Sequence, residues 1–248
     1  LRFKQILTNL ISNAIKFTPD GEIIVRARME HDDIGQCHLH FSVQDSGIGL
    51  SGTDRKRLFE SFSQGDASVT RQFGGTGLGL AISKQLVSLM HGQIGFEDNQ
   101  ERAPTEKGST FWFTAQFEVD EEEIIHPQYP ELKVISYLAH PATANVLRHY
   151  LENYQVKHVE SASILDLFSR LNSSDIDIDN TWLIVDHSGD TQALLREIRG
   201  RYQGHIAIYG YQMSLDLNML NEYKARPLYQ PLSRSSLIQL LENKPIFE

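Results

Sequence analysis

"QFGGTGLGLAISKQL", residues 72–86, packs four glycines into the six positions 74–79 and continues into an apolar run with helical spacing. Glycines let a chain approach a phosphate closely, and the unpaired N–H groups at a helix start, from Gly79 and Leu80 onward, suit an anion. An unstructured turn before a helix has the same composition. The rest of the chain decides between the two.

Upstream, "LRFKQILTNLISNAIKF" repeats apolar side chains at Ile6, Leu7, Leu10, Ile11 and Ala14, which predicts a helix with one buried face, stopped by "TPDG" at 18–21. "EIIVRARME" and "CHLHFSVQD" alternate around the polar "HDDIGQ" and predict an antiparallel hairpin. A helix is predicted over 52–61, then a polar, glycine-rich stretch from 63 to 77, long enough to suggest function. The helix begun near Gly79 should stop at His91-Gly92, and "QIGFE" and "STFWFTAQF" read as two more strands. The expected fold of residues 1–117 is an α+β sandwich, a mainly antiparallel sheet with helices on one face.

Residues 118–130 form an acidic, proline-containing run without apolar periodicity, the composition of a linker. From 131 to 248, strand and helix patterns alternate five times, and "WLIV" at 182–185 is apolar without alternation, as in a parallel strand buried on both faces. A doubly wound α/β domain is expected there.

Composition narrows the function. The chain has 248 residues, with 23 basic against 32 acidic residues, a formal net charge of −9, and scattered cations, so it lacks the basic footprint of a nucleic-acid or membrane-surface binder. One cysteine, Cys37, excludes an intramolecular disulfide. No long apolar run spans a membrane. The abrupt helical start suggests a fragment whose preceding part is missing.

Two further sets of residues carry chemistry. Asn9, Asn13 and Lys16 recur at spacings of four and three, so their side chains share a helix face. They fit a solvated edge, or amide oxygens for Mg²⁺ beside a cation for phosphates. "VQDSGIG" sets Asp45 at a strand end before Gly47 and Gly49; it fits an ordinary turn, or a carboxylate that accepts from an exocyclic amine beside a flat ring.

In sequence order, "NLISNAIKF", "DSGIG", "LFESF", "GGTGLGL" and "GSTFWF" resemble the five boxes of the sensor histidine kinase ATP-binding domain, within the wider group of gyrase, Hsp90 and MutL. The resemblance covers residues 1 to about 117 and implies ATP and Mg²⁺ as cofactors. It implies that Asn13 ligates Mg²⁺ with Asn9 beside it, Lys16 contacts phosphate, Phe17 flanks the nucleotide, and Asp45 reads the adenine amino group, helped by Gly47 and Gly49. Gly75, Thr76, Gly77, Leu78 and Gly79 would offer backbone N–H groups from a lid. Phe59 and Phe62 would be lid anchors or core aromatics, and Thr110 the hydroxyl of the last box.

The ATPase branches carry a water-activating glutamate where this chain has Asn9, so the resemblance implies a kinase rather than a hydrolase. The phosphoacceptor histidine is expected on a dimeric helical domain outside this chain. Of ten histidines only His31 precedes an acid, and a hairpin turn is the wrong place.

Residues 131–248 resemble a receiver, but with Leu138 and Ala139 for the acidic pair, Tyr209 or Gly210 for the hydroxyl, and Gln230-Pro231 for Lys-Pro. Only the acceptor position, Asp186, survives, which implies a pseudo-receiver for regulation or contact. The layout resembles a hybrid sensor kinase of the BarA/GacS kind. That implies receiver and phosphotransfer partners and a bacterial inner-membrane parent with this portion in the cytoplasm. The alternative is a nucleotide-gated interaction module.

Overall fold

The computed structural model describes residues 1–31, 37–49, 78–99, 107–117, 126–172, 176–187 and 189–243. The helix expected over 52–61, Phe59, Phe62 and the glycine-rich residues up to Gly77 lie outside them. Contacts divide the chain into two compact units, Leu1–Glu122 and Glu123–Glu248.

The first unit packs two described helices, α1 (Arg2–Phe17) and α2 (Leu78–Ser88), against four strands, β1 (Ile23–His31), β2 (Cys37–Asp45), β3 (Ile94–Asp98) and β4 (Ser109–Gln116). The sheet runs β1-β2-β4-β3 and every pairing is antiparallel. Alternation sets the inner face: Phe41 opposes Phe113 and Val43 opposes Phe111. On α1, Ile6, Leu10 and Ala14 lie one turn apart and pack into the same cluster as Phe41, Val43, Phe113 and Val87. Each large side chain so buried contributes about 1.5–3 kcal/mol. α2 ends at Ser88, one turn before the His91-Gly92 stop read from sequence, with His91 in the left-handed region at φ 54°.

The second unit alternates β5 (Lys133–Tyr137), α3 (Pro141–Asn153), β6 (Lys157–Glu160), α4 (Ile164–Leu171), β7 (Thr181–Asp186), α5 (Thr191–Arg199), β8 (His205–Gly210), α6 (Leu217–Glu222), β9 (Ala225–Tyr229) and α7 (Arg234–Leu241). Its five parallel strands run β6-β5-β7-β8-β9, the flavodoxin-like order of doubly wound sheets. Ile184 joins the cluster of Leu147, Leu151, Leu237 and Leu240, while Leu183 and Val185 join that of Leu167, Leu195, Ile198 and Leu220. Residues 182–185 are therefore apolar throughout because the strand has helices on both sides. Ser163, Asp190, Asp216 and Ser233 each accept a backbone N–H from the helix they precede.

Tyr129, within the acidic run, packs against the second core; its N–H donates to Tyr154 and its hydroxyl to Glu242 Oε1 at 2.6 Å. Among the described residues no helix is long and apolar enough to cross a membrane.

Candidate nucleotide site

Asp45 ends β2 with its carboxylate buried, 4% exposed. Oδ1 accepts from the N–H groups of Gly47 at 2.9 Å and Ser109 at 3.3 Å, and Oδ2 accepts the Ser109 hydroxyl at 2.7 Å. A carboxylate has about four acceptor positions, so Oδ2 keeps capacity for one more donor. A groove of about 450 Å³ opens alongside, lined by Ser46, Gly47, Ile48, Gly49 and Gly108 together with Asp20, Asp98 and Lys107.

Gly47 joins this strand end to α1. A Cβ there would lie 2.2 Å from the Phe17 carbonyl oxygen, a contact only glycine permits, and the next N–H, of Ile48, donates to that oxygen at 3.3 Å. Phe17 is thus placed beside the loop, with the Lys16 ammonium 5.1 Å from its ring. Gly49 lines the groove at φ +69°.

Two turns back along α1, Asn9 meets the start of α2. Its Nδ2 donates to the Ser83 hydroxyl at 2.9 Å, and a Cβ on Gly79 would lie 2.4 Å from its Oδ1. Asn13 sits between these two ends, and its amide has no hydrogen-bond partner among the described residues. Of the two asparagines, Asn9 is therefore fixed by the fold and Asn13 is available.

Structure thus joins Asn9 to Gly79 and joins Phe17, Gly47 and Asp45. Leu78 begins α2, and Gly75, Thr76 and Gly77 precede the described part. Thr110 does not touch Asp45: its hydroxyl donates to Asn99 Oδ1 at 2.7 Å. Asn99, 2% exposed, donates in turn to the carbonyls of Asp45 at 2.8 Å and Lys107 at 3.0 Å. Ser109 and Asn99 are the two residues that sequence reasoning missed. Ser109 was recoverable by extending the β2–β4 register one step beyond Gln44–Thr110, which sets it opposite Asp45.

In the second unit the positions that the sequence reading assigns to a degenerate receiver site meet at the carboxyl edge of the sheet. The N–H of Ala139, one of the two residues read in place of an acidic pair, donates to Asp186 Oδ2. Tyr209 pairs with Asp186 across β7–β8, and the Gln230 N–H donates to the Gly210 carbonyl at 2.9 Å. Burial raises the Asp186 carboxyl above its ordinary value, against the opposing pull of the Ala139 N–H and the charge of His140. No cluster of three His, Cys, Asp or Glu side chains suited to a metal occurs among the described residues.

The family described as histidine kinase-, DNA gyrase B-, and HSP90-like ATPase matches residues 1–119. The first domain belongs to that family. The sensor protein GacS of Pseudomonas syringae pv. syringae is 45% identical over 156 residues, 62% of this chain and 17% of its own length. Hybrid signal transduction histidine kinase C of Dictyostelium discoideum is 32% identical over 255 residues, 97% of this chain and 20% of its own. Full-length ShkA, solved in complex with AMPPNP, aligns over 99% of this chain and 49% of its own with a TM-score of 0.67 at 24% identity, which shows a shared fold. An ATPase-family domain followed by a unit with a receiver-like strand order is the layout expected of a hybrid histidine kinase. The chain spans a fifth or less of the length of these two curated relatives.

Proposed function

We propose that the first domain binds Mg-ATP and presents the γ-phosphate to a histidine on a helical domain outside residues 1–248. The observation that carries this reading is the buried Asp45 carboxylate, held by Gly47 and Ser109 with one acceptor position left. That is the chemistry needed to read an exocyclic amine. From Phe17 back to Asn9, α1 rises about 12 Å, on the order of an extended nucleoside triphosphate. Adenine at Asp45 and Gly49 thus sets the phosphates toward Lys16, Asn13 and the N–H groups of Leu78 and Gly79.

The amide of Asn13, unpartnered among the described residues, fits Mg²⁺, which takes few protein oxygens and fills its shell with phosphate and water. Asn9 stands beside it. Bound Mg²⁺ would neutralise phosphate charge, and the protein's own part is positioning. Asn9 cannot accept a proton near neutral pH and its amide is tied to Ser83, so the site has no hydrolytic base at that position.

The second unit acts by contact or regulation rather than as a phosphoryl acceptor. Leu138 and Ala139 provide no carboxylate for a metal, and Asp186 is engaged by the Ala139 N–H. The remaining parts of the relay, a helical phosphoacceptor domain and receiver and phosphotransfer domains, are its partners, in a parent anchored in a bacterial inner membrane with this portion cytoplasmic.

Calorimetric titration of ATP with and without Mg²⁺ tests the reading, beside Asp45→Ala and Asn13→Ala. Binding should vanish in the first variant and lose its Mg²⁺ dependence in the second. With a separately expressed helical hairpin bearing the acceptor histidine, radiolabelled ATP should yield phosphohistidine. Tight ATP binding without labelling would replace the kinase by a nucleotide-gated interaction module.

A further inference from the structure

The second unit has a cavity of about 260 Å³ at the amino ends of β7, β8 and β9. Open α/β sheets take their ligands at the carboxyl edge, where Asp186 lies, so this cavity is separate from the receiver position. Among the described residues, Arg199, Lys224, Arg226 and His205 line it against one carboxylate, Asp179, in a chain of formal net charge −9.

Its walls are tied in place. The Arg199 guanidinium donates to the carbonyls of Tyr223 at 2.7 Å, Gly204 at 2.8 Å, Lys224 at 3.0 Å and Tyr202 at 3.3 Å. This clamps the turn after α5 to the turn before β9. With Arg199 so engaged, Lys224 and Arg226 supply the charge that faces a ligand. The His205 ring stacks on Trp182 at 4.7 Å, and the Arg226 guanidinium stands 5.9 Å from the same indole while donating to Asn243 Oδ1 at 3.0 Å. Burial pulls both arginines below their ordinary values, the mark of charge held partly out of water, which a bound anion relieves.

We propose that this cavity binds the phosphate group of a small phosphorylated molecule. A planar guanidinium beside an ammonium matches a tetrahedral dianion better than either does alone. The volume, just under the usual range for small-molecule sites, admits a phosphate with a few further heavy atoms. Free phosphate and a phosphomonoester share this chemistry, and the test separates them.

The chain has two tryptophans, Trp182 beside this cavity and Trp112 in the first unit, so the indole N–H resonances of the labelled whole chain report the two units separately. Inorganic phosphate or glycerol 3-phosphate is titrated in at constant ionic strength, with chloride as the control. The Trp182 signal should move saturably and the Trp112 signal should stay. Tighter saturation by glycerol 3-phosphate identifies a phosphomonoester as the ligand class; equal saturation identifies free phosphate. Arg226→Gln should weaken binding about tenfold or more. If that variant does not fold, Lys224→Gln, at an exposed position, should weaken it severalfold. A shift linear in concentration, a response matched by chloride, or unchanged affinity in a folded variant overturns the proposal.

Discussion

Replacing Gly79 by alanine should separate stability from nucleotide affinity. The new Cβ would lie 2.4 Å from Asn9 Oδ1, 3.0 Å from its Cγ and 3.1 Å from its Nδ2. All three atoms end a flexible side chain, so Asn9 swings away and loses its bond to Ser83. That loss costs about 1 kcal/mol, and alanine in place of glycine in a helix returns up to about 1 kcal/mol. The two offset, and the melting temperature should move by no more than about 3 °C. Affinity behaves differently. In the proposed function Asn9 lies beside the metal and phosphates, and displacing its amide from that charged group should cost about 1.5–3 kcal/mol, a weakening of about 10- to 100-fold. Calorimetry with Mg-ATP and a thermal melt measure both quantities on one sample. Adding Asn9→Ala should remove the crowding, so that the second change costs far less than it does alone. Affinity within about threefold of wild type, or a melting point lowered by several degrees, would refute the reasoning, since either means the helix start yields and Asn9 does not.

Asp45→Asn keeps the shape but turns an acceptor into a donor on one side, and should weaken ATP about 10- to 100-fold in the same titration. Asn99→Leu strips a donor from the carbonyls of Asp45 and Lys107 and an acceptor from Thr110, so urea unfolding should show a loss of about 3 kcal/mol. For Asp186, burial raises the folded-state pKa above the unfolded one, so stability is full below the ordinary carboxylate value and falls as pH rises through the raised value. Asp186→Asn should therefore melt higher than wild type at about pH 7 and match it below about pH 4, and a variant no more stable at neutral pH would remove burial as the dominant influence. Acetyl phosphate should leave Asp186 unlabelled by mass spectrometry.

The strands of both units were legible because their patterns answer to burial. β2 and β4 alternate since one face meets α1, and residues 182–185 do not because both faces are covered. Asp45 and Gly47 stood out because strand ends and close backbone approaches restrict residue type, and Gly79 because a glycine-rich run led into a helix. Asn99 did not, since it acts through backbone carbonyls, which leave no mark on the residues that own them. Thr110 drew attention as the last-box hydroxyl, while the hydroxyl on Asp45 belongs to its neighbour Ser109. Tyr129 was hidden by averaging: a window dominated by acids reads as linker even when one aromatic in it docks on a core. Near 215 the pattern suggested one helix, whereas a 3₁₀ turn at Gln212–Ser214 precedes α6 and Asp216 caps it, because Leu215 is drawn into the core.

The bond from Tyr129 to Glu242 ties the first turn of chain in the second unit to the end of its last helix. Entry and exit consequently share one corner of the fold, and the unit behaves as a bead clipped onto a string. With its described ends held this close, such a bead is the kind of unit that can be inserted, exchanged or deleted with little disturbance to its neighbours. Such a closed clip also resists fraying from either end, because loosening one end requires letting go of the other.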